Sequence, residues 1–198
     1  MNMFGKLGVV AGALVLSAAG IAPAQAARYT HNDAATDQTR TTCTETGTCS
    51  DAVDATVTNG DIVRVVAVHA SRKVVVATKY TDLATATEDT MQLVRIVTNT
   101  GLQRFAVIHT PANSNNATVF LARPNGDPVK CRYIGAARDT TANVMELKVP
   151  RSCLGRPRWV KVGVGHLTGL GEASVQDDAL RNGSVGSNIT LSTRIRRG

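Results

Sequence analysis

Asp61-Ile-Val-Arg-Val-Val-Ala-Val-His-Ala70-Ser-Arg-Lys-Val-Val-Val-Ala-Thr-Lys-Tyr80 is the stretch that decides the fold. Its second half alternates, with Val74, Val76, Thr78 and Tyr80 on one side of an extended chain and Lys73 and Lys79 on the other. A period of two belongs to a β-strand with one buried face. The first half, residues 61–70, sets Val63, Val65 and Ala67 against Ile62, Val66 and Val68, and reads as a strand buried on both faces. With Ala70-Ser71 as the turn, the two halves make a β-hairpin.

The same texture continues outward. Residues 91–99, 103–110, 117–123, 129–134, 144–149, 158–165 and 189–195 are further candidate strands, rich in Val, Ile, Leu and Thr. Asn99-Thr-Gly101, residues 111–116, Asn125-Gly-Asp-Pro128 and residues 138–142 carry the turn chemistry between them. A sustained 3.6-residue pattern is missing, which disfavours βαβ units and predicts an all-β antiparallel sandwich of jelly-roll type. The one helical candidate is a turn at Gln176-Asp-Asp-Ala-Leu-Arg181, within a Gly-rich stretch at 163–186. Residues 27–59 are rich in Thr, Asp and Ala with little apolar periodicity, so they read as an N-terminal segment ordered by a disulfide, preceding a sandwich domain at 60–198.

Ahead of these lies a three-part pattern. One Lys falls within residues 1–6, residues 7–20 are small and apolar, and Ala24-Gln25-Ala26 offers an A-x-A site, which together predict a signal peptide cleaved after Ala26. The apolar run is shorter than a membrane span and is followed by Pro23. The mature chain expected is 172 residues with side chains summing to +6, secreted, extracellular and without a membrane anchor. Arg supplies most of that charge, 16 residues against 6 Lys, and with abundant Ala, Val and Thr it fits a high-GC bacterial gene.

Cys43, Cys49, Cys131 and Cys153 are an even set in an exported chain and read as two disulfides. Three pairings exist. Local closure favours Cys43–Cys49 with Cys131–Cys153, which the chain-entropy relation values at about 2.4 and about 3.4 kcal/mol. Zinc is disfavoured because Cys43-Thr-Glu-Thr-Gly-Thr-Cys49 has neither the C-x2-C spacing nor a neighbouring His.

The block Val149-Pro-Arg-Ser-Cys-Leu-Gly-Arg-Pro-Arg-Trp-Val-Lys-Val162, then Asp177-Asp-Ala-Leu-Arg181 and the basic end after Ile195, resembles uncharacterised secreted β-sandwich proteins of actinobacteria. The resemblance covers roughly the last third of the chain, with a similar hairpin style at 61–83. It implies a secreted sandwich with a Cys131–Cys153 bridge, and no activity.

Motifs for catalysis are sparse. His31, His69, His109 and His166 lack H-E-x-x-H spacing, and Gly183-Ser-Val-Gly186-Ser187 is not a nucleophile elbow. Of Glu45, Glu88, Glu146 and Glu172 only Glu146 falls within a candidate strand, where a salt bridge to a neighbouring Arg is its expected role. Gly163-Val-Gly165-His-Leu-Thr-Gly169-Leu-Gly171 fails the dinucleotide fingerprint, so its glycines are expected to let a strand end and turn. No catalytic residue or organic cofactor is assigned.

Structural calcium is the one cofactor the residues admit. Oxygen ligands are available at Asp33 and Asp37, at Asp51 and Asp54, or at Asp177 and Asp178, and the adjacent pair Asp177-Asp178 is the first choice because it needs a counter-charge. The excess of positive charge offers a binding face: Arg151, Arg156, Arg158 and Lys161 cluster around Trp159, and Arg194, Arg196 and Arg197 close the chain. The plainer expectation for Arg158-Trp-Val-Lys-Val is a strand with Trp159 in the core. Aromatic content of 4% disfavours nucleic acid, whose binders stack bases on aromatic rings. The expected function is a non-catalytic module binding an extracellular glycan or anionic cell-wall polymer. The alternatives are a hydrolase with a convergent His/Asp site using His69, His109 or His166, and an envelope protein with a protein partner.

Overall fold

The structure, a computed structural model, describes residues 27–169, 173–183, 185–186 and 188–198. The expected signal peptide, Glu172, and the Gly171 and Ser187 ends of two weighed motifs lie outside the described residues.

Two antiparallel sheets pack face to face. The first runs β1 (Ala27–Asn32), β4 (Ile62–His69), β5 (Lys73–Tyr80), β11 (Val144–Pro150) and β10 (Gly135–Asp139) from edge to edge. The second runs β3 (Cys49–Val53), β2 (Thr39–Cys43), β13 (Ala173–Asp178), β12 (Trp159–Thr168), β6 (Thr90–Thr98), β7 (Gln103–Thr110), β8 (Thr118–Ala122) and β9 (Pro128–Val129), with β14 (Ile195–Arg196) paired to β12. The all-β sandwich is as expected, including the 61–80 hairpin as the β4–β5 pair.

Alternation builds the core. Val74, Val76, Thr78 and Tyr80 of β5 all point inward and are fully buried, and Lys73 and Lys79 are exposed. They meet Val94 and Ile96 of β6, Ile108 of β7 and Val160, Val162 and Val164 of β12. Full burial of each such side chain contributes about 1.5–3 kcal/mol. Tyr80 Oη donates to Gln92 Oε1 at 2.6 Å, and Gln92 Nε2 donates to Thr78 Oγ1 at 3.2 Å, so the polar groups crossing between the sheets satisfy one another.

Several expectations are corrected. β4 is not buried on both faces, because a register shift between Ile62 and Arg64 rephases the strand. Ile62 thereby joins Val65, Ala67 and His69 inside, leaving Val66 and Val68 half-buried. Residues 27–59 are not a separate segment: β1 pairs with β4, and β2 and β3 extend the second sheet beyond β13. Apart from the buried Thr39, the residues of these three strands are half-buried or exposed and mostly polar or small, which is why no apolar period marks them. The turn at 176–181 has no helix; β13 runs through Asp178. The strands expected at 129–134 and 189–195 shrink to two-residue pairings at Pro128–Val129 and Ile195–Arg196.

Both disulfides take the local pairing. Cys43 and Cys49 face each other across the β2–β3 hairpin, and Cys131–Cys153 ties the chain after β9 to a 3-10 turn at Arg151–Leu154. Among the described residues no helix is long and apolar enough to cross a membrane.

Candidate functional site

β12 turns Val160, Val162 and Val164 into the core, so Trp159 and Lys161 project from the outer face of the second sheet. Trp159 is therefore half-buried on that face and not in the core, contrary to the plainer expectation. The C-terminal strand β14 then lies beside it, with Trp159 opposite Arg196 and Val160 opposite Ile195. Arg197 N donates to Arg158 O at 2.9 Å and locks the register. Arg194 folds its guanidinium over the indole, 4.8 Å from the ring centroid.

The result is a depression of about 310 Å³ lined by Arg158, Trp159, Arg194 and Arg196. The three guanidiniums are exposed, and among the described residues no ion pair joins any of them to a carboxylate. Such a lining presents guanidinium donors and positive charge without a paired carboxylate among the described residues. It suits a carboxylate, phosphate or sulfate group, for which Arg offers a bidentate fork.

The structure thus brings together only part of the expected cluster. Arg158 and Trp159 form the depression. Arg151 is a structural clamp, donating through Nη1 to Ser71 O and through Nη2 to Pro157 O at 2.7 Å each. Burial first, then the charges of Arg197 and Arg156, hold its pKa below the usual guanidinium value. Arg156 is exposed outside the lining, and Lys161 stands two residues along β12, opposite Val97. Arg194 and Arg196 replace them, brought in by a strand pairing that the basic terminus alone did not disclose.

The outer face continues into an apolar depression of about 400 Å³ whose lining includes Met91, Leu93, Phe105, Val107 and Phe120. Phe120 is 45% exposed there.

No histidine gathers the expected hydrolytic constellation among the described residues. His109 Nε2 lies 2.9 Å from Asp89 Oδ2, but no nucleophile hydroxyl bonds to its ring. The Ala112 amide, then the His109 ring, hold the Asp89 carboxyl below its usual pKa. His166 is buried edge-on against Tyr80, its Nε2 3.3 Å from Thr168 Oγ1; burial, then Arg138, pushes its pKa down to about 4, so the ring is neutral. His69 Nδ1 meets Ile195 O at 3.1 Å. Glu146 pairs with Lys148 at 2.5 Å, not with an Arg.

The expected Asp177-Asp178 pair diverges, because neighbours on a strand face opposite sides. Asp178 Oδ2 accepts from Thr190 N and Oγ1 at 2.9 and 2.8 Å, with Arg181 at 3.6 Å. Asp51 accepts from Thr41 Oγ1 at 2.7 Å, and Asp54 pairs with Arg40 at 2.6 Å. The Thr56 hydroxyl, then Arg40, pull the Asp54 pKa down to about 2. Asp177 alone of the pair turns toward other carboxylates, those of Asp33 and Asp37.

The weighed dinucleotide glycines have a packing role. β12 runs through Gly163 and Gly165, contrary to the expected strand end, whereas it ends at Thr168 and Gly169 follows with φ 77°, as expected. A Cβ on Gly163 would fall on the Thr190 carbonyl oxygen and 2.8 Å from Ile189 Cγ2, so this position needs the missing side chain.

No protein-family model, no curated protein and no solved structure matches the chain.

Proposed function

We propose that the protein is a secreted, non-catalytic β-sandwich that docks on an extracellular anionic polymer, an acidic polysaccharide or cell-wall polymer, through the depression at Trp159. One observation carries the reading: Arg158, Arg194 and Arg196 converge on one depression without a carboxylate partner among the described residues. The net charge of +6 expected of the mature chain adds a favourable long-range field for the same class of ligand. Two disulfides suit an oxidising compartment. Arg194 already covers the Trp159 ring, so charge, rather than sugar stacking, is the main recognition term.

The test is retention of the purified protein on an insoluble polyuronate and on wall preparations at low ionic strength. Retention is expected, with release as salt shortens the screening length to well below about 10 Å. Replacing Arg158, Arg194 and Arg196 together by Ala should weaken retention by about tenfold or more, roughly 1.4 kcal/mol. Failure to bind any anionic polymer at low salt overturns the proposal.

A second reading, an envelope component with a protein partner, is favoured by the exposed Phe120 in the apolar depression. Phe120→Glu should leave polymer retention unchanged under the first reading. Loss of retention in Phe120→Glu with the three arginines intact would move the docking surface to the apolar depression.

A further inference from the structure

The crossover from β1 to β2 carries the chain from the first sheet to the second and is pinned by acidic side chains. Asp33 N donates to Val63 O at 3.0 Å, and Thr36 N donates to Asp61 Oδ1 at 2.9 Å. Along this crossover Asp33 and Asp37 meet Asp177 of β13, and one carboxylate oxygen from each lies within 4.8 Å of the others. Each carboxylate has an oxygen held by a backbone amide: Asp33 Oδ1 by Ala34 N at 3.0 Å, Asp37 Oδ2 by Gly183 N at 2.8 Å, and Asp177 Oδ2 by Ile62 N at 2.6 Å.

The remaining oxygens of Asp33 and Asp37 distinguish them from the other buried acids. Asp61 is fully buried with both oxygens engaged, by Thr36 N and by Thr81 Oγ1. Asp178 is likewise satisfied through both oxygens. Asp37, in contrast, is 8% exposed with Oδ1 lacking any hydrogen-bond partner, and the buried Asp33 Oδ2 lacks one too. Buried acceptors left without a donor are destabilising, the more so when charged. Among the described residues no Lys, Arg or His forms an ion pair with any of the three.

We propose that Asp33, Asp37 and Asp177 hold a hard divalent cation, calcium, which fastens the β1–β2 crossover to β13. The donor set is all oxygen, the choice of calcium over zinc or copper, and water would complete its six to eight ligands. A cation also supplies the counter-charge the trio lacks. The site joins residues more than a hundred positions apart in the chain and belongs to the framework, so it is independent of polymer docking at Trp159.

Thermal denaturation of the chelator-treated protein against calcium concentration tests this, alongside direct calorimetric titration of calcium. The expected result is a rise in Tm that grows with calcium, reaching saturation within the range of about 10⁻⁴–10⁻³ M typical of extracellular modules. Asp33→Asn and Asp37→Asn retain an acceptor for the Ala34 and Gly183 amides while removing charge. Each should fold, match or exceed the metal-free parent in Tm, and lose the calcium response. No calorimetric binding together with an unchanged Tm, or the same rise from sodium at equal ionic strength, overturns the proposal. So does a calcium response that survives in both variants. Were a variant not to fold, the titration of the parent protein decides alone.

Discussion

The Arg194 guanidinium lies 4.8 Å from the centre of the Trp159 ring, joining the C-terminal end of the chain to the first residue of β12. Trp159 is the one tryptophan in the sequence, so indole fluorescence reports on this depression and nowhere else. Arg194→Ala should uncover the ring and increase quenching by acrylamide. An anionic polymer bound at the same depression should reduce quenching in the parent protein, and added salt should reverse the effect. Quenching that is the same in parent and variant would separate Arg194 from the indole in solution.

Gly163 makes a sharper prediction about stability. The Thr190 carbonyl and Ile189 occupy the place of its Cβ, so Gly163→Ala must displace backbone and should cost about 2–3 kcal/mol. Gly135, on the edge strand β10, has open space around its Cβ position and no positive φ. Gly135→Ala should fall within about 0.5 kcal/mol of the parent. Urea unfolding midpoints of the two variants make the comparison, and equal losses would contradict the packing assigned to residues 189–190.

The two disulfides should differ in what they contribute. Cys43 and Cys49 are 6 residues apart, Cys131 and Cys153 22 apart, and closing the longer loop removes more freedom from the unfolded chain. Replacing both cysteines of the longer bridge by Ala should cost about 3 kcal/mol, and of the shorter about 2 kcal/mol. Denaturant titrations of the two double variants give the order, and a reversed order would mean that native contacts, not loop length, set the effect.

His69 gives the fold a dependence on acid. Burial pulls its pKa below the ordinary value of 6.5; the Ile195 carbonyl opposes that shift, while the nearby charges of Arg151 and Arg197 add to it. Below that value the unfolded chain takes up a proton that the folded ring resists, so stability falls as pH drops from neutrality toward the folded pKa. Above it both states are neutral and this contribution is flat. His69→Gln should show a smaller fall between about pH 7 and 5 in urea midpoints. An identical pH profile in the variant would remove His69 from the account.

The legible parts of this sequence were those where burial follows a local period. β5 could be read residue by residue because its four inward side chains and two lysines alternate without interruption. The bridges were legible because short loops close at low entropic cost. β3 was not, since all five of its residues are exposed and carry no apolar signal; its existence depends on pairing with β2. Trp159 was sent to the wrong side for a related reason. An isolated Arg-Trp-Val-Lys-Val fits either face, and the choice came from Val160, Val162 and Val164 packing against the opposite sheet.

By itself, then, the sequence determined the class of fold, the hairpin at 61–80, a preference for local pairing of the cysteines and a surplus of positive charge, all of them properties set by composition or by neighbours along the chain. Tertiary structure alone decided which charges meet. Arg158 and Arg194 share a depression only because β14 pairs with β12, and Asp33, Asp37 and Asp177 converge only where the β1–β2 crossover reaches β13. Adjacent Asp177 and Asp178 part company for the complementary reason: in a strand, neighbours in sequence face opposite ways.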